Sequence, residues 1–296
     1  MIFLKKIYFK FFKNKTDYKS FKNKQLFDKI FKDKIASINK ALLEKKKINF
    51  LHSGHCGDLI YSLATIKKIS EGHECSLFIN TNKKIDIPYH NHPGDGLYIN
   101  NRIYEFLLPL LQKQKFIKKV EKFTNQEIDV NLDLFRDLPI NLMFNSPRWY
   151  FHLTGVQTNL SEKSLEVEDH PKISNKIIIL RSFRWRNNFI NYNFLDENKD
   201  LIFVGMKNEY EDLKKQIKNL EFYDCSNFYE MAQIIKSSKF FIGNMSPGYA
   251  IAESLKVPRL LEACPEMPYV HPVGENAYDF YFQEHFENYV KLLSNR

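Results

Sequence analysis

A carboxylate and a histidine stand close together in a segment that follows a short apolar run. The run covers residues 48–51, and the segment after it carries His55, Gly57 and Asp58. When a group is transferred to a hydroxyl, a carboxylate or an imidazole must accept the hydroxyl proton. Asp58 is therefore our first candidate for a general base, and His55 is the second. Structural roles also fit, Asp58 as a helix N-cap and His55 as a loop residue bonded to the backbone.

Three arginines, Arg181, Arg184 and Arg186, follow the apolar run at residues 177–180. An anionic leaving group must be stabilised in the transition state, and guanidinium groups do this without a metal. We expect at least one of the three to contact phosphate. Arg181 and Arg184 lead, because the first residues after a strand point into a cleft. The alternative is that one or two are exposed or pair with the acid-rich stretch at 162–169.

A glycine-containing segment that precedes a predicted helix is our candidate seat for phosphate. Its members are Gly243, Asn244, Ser246 and Gly248. Backbone N–H groups and the helix dipole favour an anion at such a position. A tight turn with a serine cap is the structural alternative. Glu253, in the following helix, could bond ribose hydroxyls or could be a surface or paired glutamate.

Two further histidines, His90 and His92, lie in a loop near Asp95. Two histidines at this spacing do not make a metal site without further ligands, and the sequence marks none. The acidic pair at residues 133 and 137 is also spaced too widely for an Asp-x-Asp motif. We therefore expect no metal or other cofactor, and we interpret this loop as lying on the acceptor side.

Alternating strand and helix patterns begin at residue 48 and start again at residue 176. Such alternation predicts two doubly wound parallel sheets, and ligands of such sheets bind beyond the carboxyl ends of the strands. The cleft between the two halves is therefore where we expect the site. We divide the chain into a basic, aromatic-rich helical arm (1–47), a first domain (48–156), a linker (157–175), a second domain (176–275) and a C-terminal helix (276–296).

The net charge of +9 over 296 residues is concentrated in the arm. Residues 1–47 hold 15 lysines against 4 acidic residues, whereas the remaining chain holds 29 basic and 31 acidic residues. A nucleic-acid enzyme with a basic channel would carry positive charge through its body, so we expect no nucleic-acid partner. The arm either contacts an anionic membrane surface or packs on the body through its phenylalanines.

The compartment is predicted from three features of the sequence. The four cysteines, Cys56, Cys75, Cys225 and Cys264, form no Cys-x-x-Cys pair, which favours reduced thiols. The sequence contains no run of 18 apolar residues, so we predict no membrane span. Lysines interrupt the apolar N-terminus, which does not resemble a signal peptide. We expect a cytoplasmic protein, with the arm able to hold it on the inner face of the membrane.

Three segments, at residues 57–63, 177–181 and 241–258, resemble GT-B glycosyltransferases, especially the heptosyltransferase-like family 9. The resemblance implies an α/β, GT-B-like fold, with two Rossmann-like domains facing across a cleft. It implies a nucleotide-sugar donor on the second domain and an acceptor on the first, near Gly57, His90, His92 and Asp95. It also implies inverting, metal-independent transfer in surface polysaccharide synthesis.

The third segment departs from the family pattern at residues 245–247. Members that use ADP-heptose commonly carry Asp-Ser/Thr-Gly there, whereas this chain has Met245, Ser246 and Pro247. Our leading hypothesis is a glycosyltransferase that moves a sugar to a glycan or lipid-linked glycan. Two alternatives stay open, a nucleotide-sugar epimerase of the same architecture and a degenerate nucleotide-sugar-binding or scaffold protein.

Overall fold

Three helices precede the first strand in the computed structural model, which describes residues 2–85, 92–137 and 145–296. They are α1 (Ile2–Phe12), α2 (Lys15–Ile30) and α3 (Lys32–Glu44). The core contains Phe31 and two residues of α3, while α2 buries no residue and packs only the partly buried Ile30 against the core. The buried side chains are Phe31, Ile38 and Ala41.

The first sheet has four parallel strands in the order β3-β2-β1-β4. The strands are β1 (Lys47–His52), β2 (Glu74–Ile79), β3 (Lys119–Lys122) and β4 (Val130–Asn131). The helices of this half of the chain are α4 (Cys56–Ser70), α5 (Asn101–Gln112) and α6 (Pro147–Thr154). Parallel strands need crossover connections, which α4 and α5 supply between β1, β2 and β3, whereas residues 123–129 join β3 to β4 without a helix.

The second sheet has six parallel strands in the order β10-β9-β8-β5-β6-β7. The strands are β5 (Ile177–Leu180), β6 (Leu201–Val204), β7 (Glu221–Tyr223), β8 (Phe240–Asn244), β9 (Arg259–Glu262) and β10 (Ala277–Phe280). The helices are α7 (Lys207–Leu213), α8 (Phe228–Lys236), α9 (Pro247–Leu255) and α10 (Gln283–Ser294). Every residue of β5, β6, β8 and β9 is buried, as expected for a sheet covered on both faces.

The C-terminal segment differs from the sequence prediction. We predicted a helix over residues 276–296, but Ala277–Phe280 is a strand that pairs in parallel with Arg259–Glu262. The helix begins only at Gln283. The aromatic residues at 278, 280 and 282 alternate as in a strand, and our prediction was wrong because it extended the helical pattern of the following residues over them. The second sheet therefore extends beyond the boundary that we drew at residue 275.

Each sheet changes its direction of strand order at one place. In the first sheet this switch point lies between β1 and β4, and in the second it lies between β5 and β8. The loops that leave the carboxyl ends of two such strands diverge and leave a crevice for a ligand. The structure therefore provides two crevices, one for each sheet.

The two crevices are brought together by the packing of α4 against α9. A methyl group built on Gly57, in the first turn of α4, would lie 3.8 Å from the carbonyl oxygen of Ser246 and 3.9 Å from Ala250 Cβ. There is ordinary contact room for a methyl group and little for anything larger. Further along the interface, the rings of Phe106 and Phe228 meet edge to face at 4.9 Å. The predicted doubly wound α/β architecture with a cleft is confirmed.

No helix within residues 2–85, 92–137 and 145–296 combines the length and apolar character needed to cross a bilayer.

Gly243 is required by packing at the second switch point, and this predicts the effect of one substitution. A Cβ at this position would lie 2.7 Å from the backbone oxygen of Leu180. We expect Gly243→Ala to lower the free energy of unfolding by roughly 1–3 kcal/mol because the backbone cannot yield without disturbing the β5–β8 pairing. Gly72→Ala is the matched control, since its Cβ would meet nothing within 4 Å. Urea unfolding that gives equal stability for both variants would contradict this account.

Candidate active site at the two switch points

Asp58 lies at the first switch point, in the opening turn of α4. The N-cap of this helix is His55, so Asp58 does not take the capping role that we considered as an alternative. Its carboxylate forms an ion pair with Arg136, and the Tyr150 hydroxyl donates to its backbone oxygen at 2.6 Å. The Asp58 side chain is about one-sixth exposed, at 17%. The Asp58 carboxylate is therefore held by Arg136 on one side and accessible to solvent on the other.

Arg136 and Asp133 complete this half of the site, and the sequence analysis missed both as functional residues. They follow β4, and Arg136 Nε donates to Asp133 Oδ1 at 3.0 Å. The Asp133 carboxylate also accepts the backbone N–H of Ser53, which follows β1. Gly54 leaves room for the pair, since a Cβ there would lie 2.6 Å from Asp133 Oδ1. The signal that could have identified Asp133 is its position directly beyond the strand at the switch point.

Burial and charge determine the protonation of the groups beneath Asp58. Burial alone would raise the pKa of Asp133, but His52, Arg136 and the Ser53 N–H lower that pKa overall. Burial also lowers the pKa of His52, which is fully enclosed. Burial disfavours the charged guanidinium of Arg136, yet Asp58 and Asp133 raise the pKa of Arg136 overall. Asp133 is therefore an anion that holds the Arg136 cation against Asp58.

His55 and His92 lie together beside this network. Their ring centroids are 5.3 Å apart, and the Tyr98 ring meets His55 edge to face at 4.7 Å. Burial, with Arg184 as the next largest cause, lowers the pKa of His55 to about 2 and that of His92 to about 4. Both imidazoles are neutral near pH 7. Arg184 belongs to the second domain, so charge from the second domain acts on two histidines of the first.

The predicted acceptor-side residues fall in different places. His92 lies in the site, and Gly57 lies at the contact between α4 and α9. Asp95 is exposed, with a left-handed backbone at φ 53°, and its carboxylate accepts from Asn100 Nδ2 at 3.1 Å. His90 lies outside the described residues.

Asn244 organises the second switch point by joining the loop after β5 to the end of β8. Its Oδ1 accepts the backbone N–H of Ser182 at 2.9 Å, and its Nδ2 donates to the backbone oxygen of Arg184 at 2.6 Å. Asn244 is fully buried, so this predicted phosphate-binding residue acts through the loop that it holds. Glu209, which the sequence analysis did not single out, accepts the backbone N–H of Phe183 at 3.0 Å. Trp185 takes a left-handed backbone at φ 57°, which tightens the turn.

The three predicted arginines have different roles in the structure. Arg181 is 4% exposed and forms a two-pronged ion pair with the buried Glu262, at 2.7 and 2.9 Å. Arg186 pairs with Asp212 at 2.6 Å and bonds to backbone oxygens of its own loop. The enclosed pair of Arg181 stabilises the fold and occupies its guanidinium, whereas the phosphate contact of the partly exposed Arg186 stays a prediction. Their partners are not the acid-rich stretch at 162–169.

Arg184 is the member of the three that belongs to the cleft. It is half-buried on the loop that Asn244 and Glu209 hold, and it acts electrostatically on His55 and His92. The phosphate-binding role predicted for the cluster therefore rests on Arg184.

The segment before α9 combines a helix cap with close packing. Ser246 is the N-cap of α9 and accepts the N–H of Tyr249 at 3.2 Å, so the structural alternative for this residue is realised. Pro247 stands at the first helical position, where its missing N–H costs nothing. A Cβ on Gly248 would lie 2.6 Å from Leu180, so this glycine lets α9 approach β5. The opening N–H groups of α9 still give this end of the helix a positive field.

Glu253 is engaged by cations of its own domain. It is 5% exposed and its carboxylate pairs with Arg259, at 2.6 Å, and with Lys256. Because Arg259 is itself fully buried, separating this pair would leave a buried charge without compensation. Glu253 therefore stabilises the second domain, which corrects the ribose contact that we predicted.

Among the described residues, no group of three or more histidine, cysteine, aspartate and glutamate side chains is arranged to hold a metal ion. The four cysteines are buried as free thiols.

Comparisons with known proteins give matches in structure alone. The sequence matches no protein-family model and no curated protein. A family 9 glycosyltransferase from Veillonella parvula is similar in structure, with a TM-score of 0.56 and 12% identity over 84% of this chain and 90% of that one. The ADP-heptose LPS heptosyltransferase II of E. coli has a TM-score of 0.56 and 10% sequence identity over 83% of this chain and 98% of that one. The chain thus has the GT-B fold, as the resemblance implied.

The burial of His92 predicts how stability depends on pH. Its Nδ1 accepts the N–H of Gly94 at 3.0 Å, so protonation would break this bond. Because the pKa is about 4 in the folded chain against an ordinary 6.5, the unfolded chain binds the proton first. The contribution of His92 to the free energy of unfolding is therefore fully present above pH 6.5 and is lost as the pH falls toward 4.

We expect His92→Asn to make this decline shallower, because asparagine does not titrate and its Oδ1 can accept the same N–H. Urea unfolding of both proteins across this pH window measures the effect. Parallel curves would contradict it.

Proposed function

We propose that this protein is a glycosyltransferase that moves a sugar from a nucleotide-sugar donor to a glycan or lipid-linked glycan. The observation that carries the proposal is the meeting of two switch points across one cleft, with Asp58 on one side and Arg184 on the other. The first supplies a carboxylate, and the second supplies a guanidinium and the N-terminus of α9. The GT-B fold shared with family 9 structures supports this class of reaction by analogy.

The second domain would hold the nucleoside diphosphate. Its switch point presents Arg184 and the positive end of the α9 dipole, and both favour negative charge. Arg184 is fixed through its backbone oxygen by Asn244, so its loop is organised before a ligand arrives. A preorganised cation stabilises charge that develops as a phosphate ester leaves. We infer that the Arg184 guanidinium takes the place of a metal ion in the reaction.

The first domain would bind the acceptor and supply the base. The acceptor hydroxyl attacks the anomeric carbon, its proton passes to the Asp58 carboxylate, and the carbon–oxygen bond to the diphosphate breaks. The departing nucleoside diphosphate takes the electron pair and the negative charge, which Arg184 stabilises. Attack on the face opposite the leaving group inverts the anomeric centre. Arg136 fixes the Asp58 carboxylate, and the neutral His55 and His92 can form hydrogen bonds to sugar hydroxyls.

The reaction is expected in the cytoplasm, at the inner face of the membrane, in synthesis of a surface polysaccharide. A nucleotide-sugar epimerase would need no acceptor, and a binding or scaffold protein would bind a nucleotide without turnover. The replacement of the acidic motif by Met245, Ser246 and Pro247 keeps the binding-protein hypothesis as the second candidate. The variants Arg184→Ala and Asp58→Asn, each assayed beside the wild type, separate these functions.

Arg184→Ala should weaken donor binding by about 10- to 100-fold, the usual effect of losing a hydrogen bond between charged groups. The nucleotide is first identified by thermal unfolding against UDP, GDP, ADP, CDP and CMP. A ligand at about 100 times its Kd adds roughly 2.7 kcal/mol of stability. The affinity of the responding nucleotide is then measured by calorimetry. Arg296→Ala, at the far C-terminus, is the control, and equal affinity in the two variants would exclude the phosphate role of Arg184.

Asp58→Asn should retain donor binding while the release of nucleoside diphosphate falls by about 100-fold or more, because an amide cannot accept the proton. Glu71→Gln, at the other end of α4, should behave like the wild type. Unchanged turnover in Asp58→Asn would remove the base assignment. Interconversion of sugars without an acceptor would favour the epimerase, and binding without turnover in the wild type would favour the binding protein.

A further inference from the structure

The first two helices expose a row of apolar side chains that nothing in the described structure covers. We call residues 2–30, which form α1 and α2, the amphipathic hairpin. Its most exposed members are Phe12 at 74%, Phe3 at 72%, Leu4 at 70% and Phe11 at 69%. Single exposed apolar residues are common, but a contiguous row marks an interaction surface.

The apolar row occupies one half of the circumference of α1, and the lysines of α1 occupy the other half. At 3.6 residues per turn, the apolar residues at 3, 4, 7, 8, 11 and 12 fall within about half of the helix circumference. The lysines at 5, 6, 10 and 13 fall in the opposite half, with Lys5 and Lys10 at its two borders. Phe9 points toward α2, where its ring stacks on that of Phe21 at 4.6 Å. Phe9 therefore joins the two helices, and the rest of the apolar face is left outward.

The attachment of the hairpin to the body leaves this face uncovered. Phe31, Ile38 and Ala41 anchor α3 in the core, and α3 contacts α6. In contrast, α2 buries no residue, and α1 contacts α2. Of the two roles that the sequence allowed for the arm, packing on the body applies to α3.

Charge identifies the occupant of the exposed face. The hairpin carries nine lysines and two aspartates, whereas the chain beyond residue 47 is almost neutral. An apolar half bordered by lysines fits the boundary between the acyl chains and headgroups of an anionic bilayer. A nucleic acid would need aromatic rings and lysines on one face. On α1 the rings share their half of the helix with Leu4 and Ile7, which offer a base no stacking surface, and Lys10 and Lys13 already lie over the rings of Phe11 and Tyr8 at 5.4 and 6.0 Å.

We propose that the amphipathic hairpin docks on an anionic lipid bilayer, with α1 parallel to the surface and its apolar half below the headgroups. This inference goes beyond the proposed function, and its test uses neither donor nor acceptor. The full-length protein is sedimented with phosphatidylglycerol vesicles and with phosphatidylcholine vesicles. We expect binding to the anionic vesicles that is at least about tenfold tighter and that declines with salt.

Two pairs of variants separate insertion from adhesion by charge. The triple variant Phe3→Ser/Phe11→Ser/Phe12→Ser should lose vesicle binding by about tenfold or more, while Leu43→Ser should not. Leu43 is the matched control because it is 86% exposed but lies on α3. Brominated lipid should quench a tryptophan at Phe11→Trp more strongly than one at Leu43→Trp. All four substituted side chains are exposed, so thermal unfolding should show the body intact.

Several outcomes would overturn the inference. They are equal vesicle binding by the triple variant and Leu43→Ser, equal quenching at the two tryptophans, and equal affinity for both kinds of vesicle. Light scattering that shows the wild type as an oligomer and the triple variant as a monomer, without vesicle binding, would assign the face to a second copy of the chain. Tighter binding of the wild type to single-stranded RNA than to anionic vesicles would assign it to a nucleic acid.

Discussion

The first turn of α4 packs against the first turn of α9, and this contact brings the chemistry of two separate sheets to one place. Each turn follows a strand that ends at a switch point, so the loops around it carry the polar side chains of its own sheet. Gly57 makes the approach close, with room for about one methyl group. The first sheet supplies the Asp58 carboxylate, whose guanidinium partner Arg136 is already engaged with it, and the second sheet supplies Arg184. The site therefore exists because these two helix ends meet.

Charge is distributed in this molecule between groups that stabilise the fold and groups that face the cleft. Two ion pairs are enclosed, Arg181 with Glu262 and Arg259 with Glu253. Loss of one partner would leave the other as a buried charge without compensation. Asp58 with Arg136 is a partly exposed pair, in which the carboxylate keeps access to solvent. Arg184 belongs to the other sheet, and after burial it is the next largest cause that lowers the pKa of His55 and His92. The same residue types thus serve opposite purposes according to how far each is enclosed.

The periodicity of apolar residues was sufficient to predict the two parallel sheets, since buried strands and crossover helices differ in spacing. It was also sufficient to place Asp58 in the first turn of a helix at a strand end. It could not assign Arg181 or Glu253, because their partners Glu262 and Arg259 are distant in sequence or on another element. Arg136 was missed for the same reason, as its contact with Asp58 spans 78 residues. The strand at residues 277–280 has the alternation of a strand but is only four residues long, and the longer helical pattern after it concealed it.

A nucleoside diphosphate bound at the second switch point, as we propose, would face Asp58 across the cleft. Hydrogen–deuterium exchange measured with and without the nucleotide that stabilises the protein tests this binding mode. We expect slower exchange in the loop at 182–188, in the turn at 244–250 and at the start of α4. Protection confined to other elements, or protection of the first-domain loops alone, would contradict it.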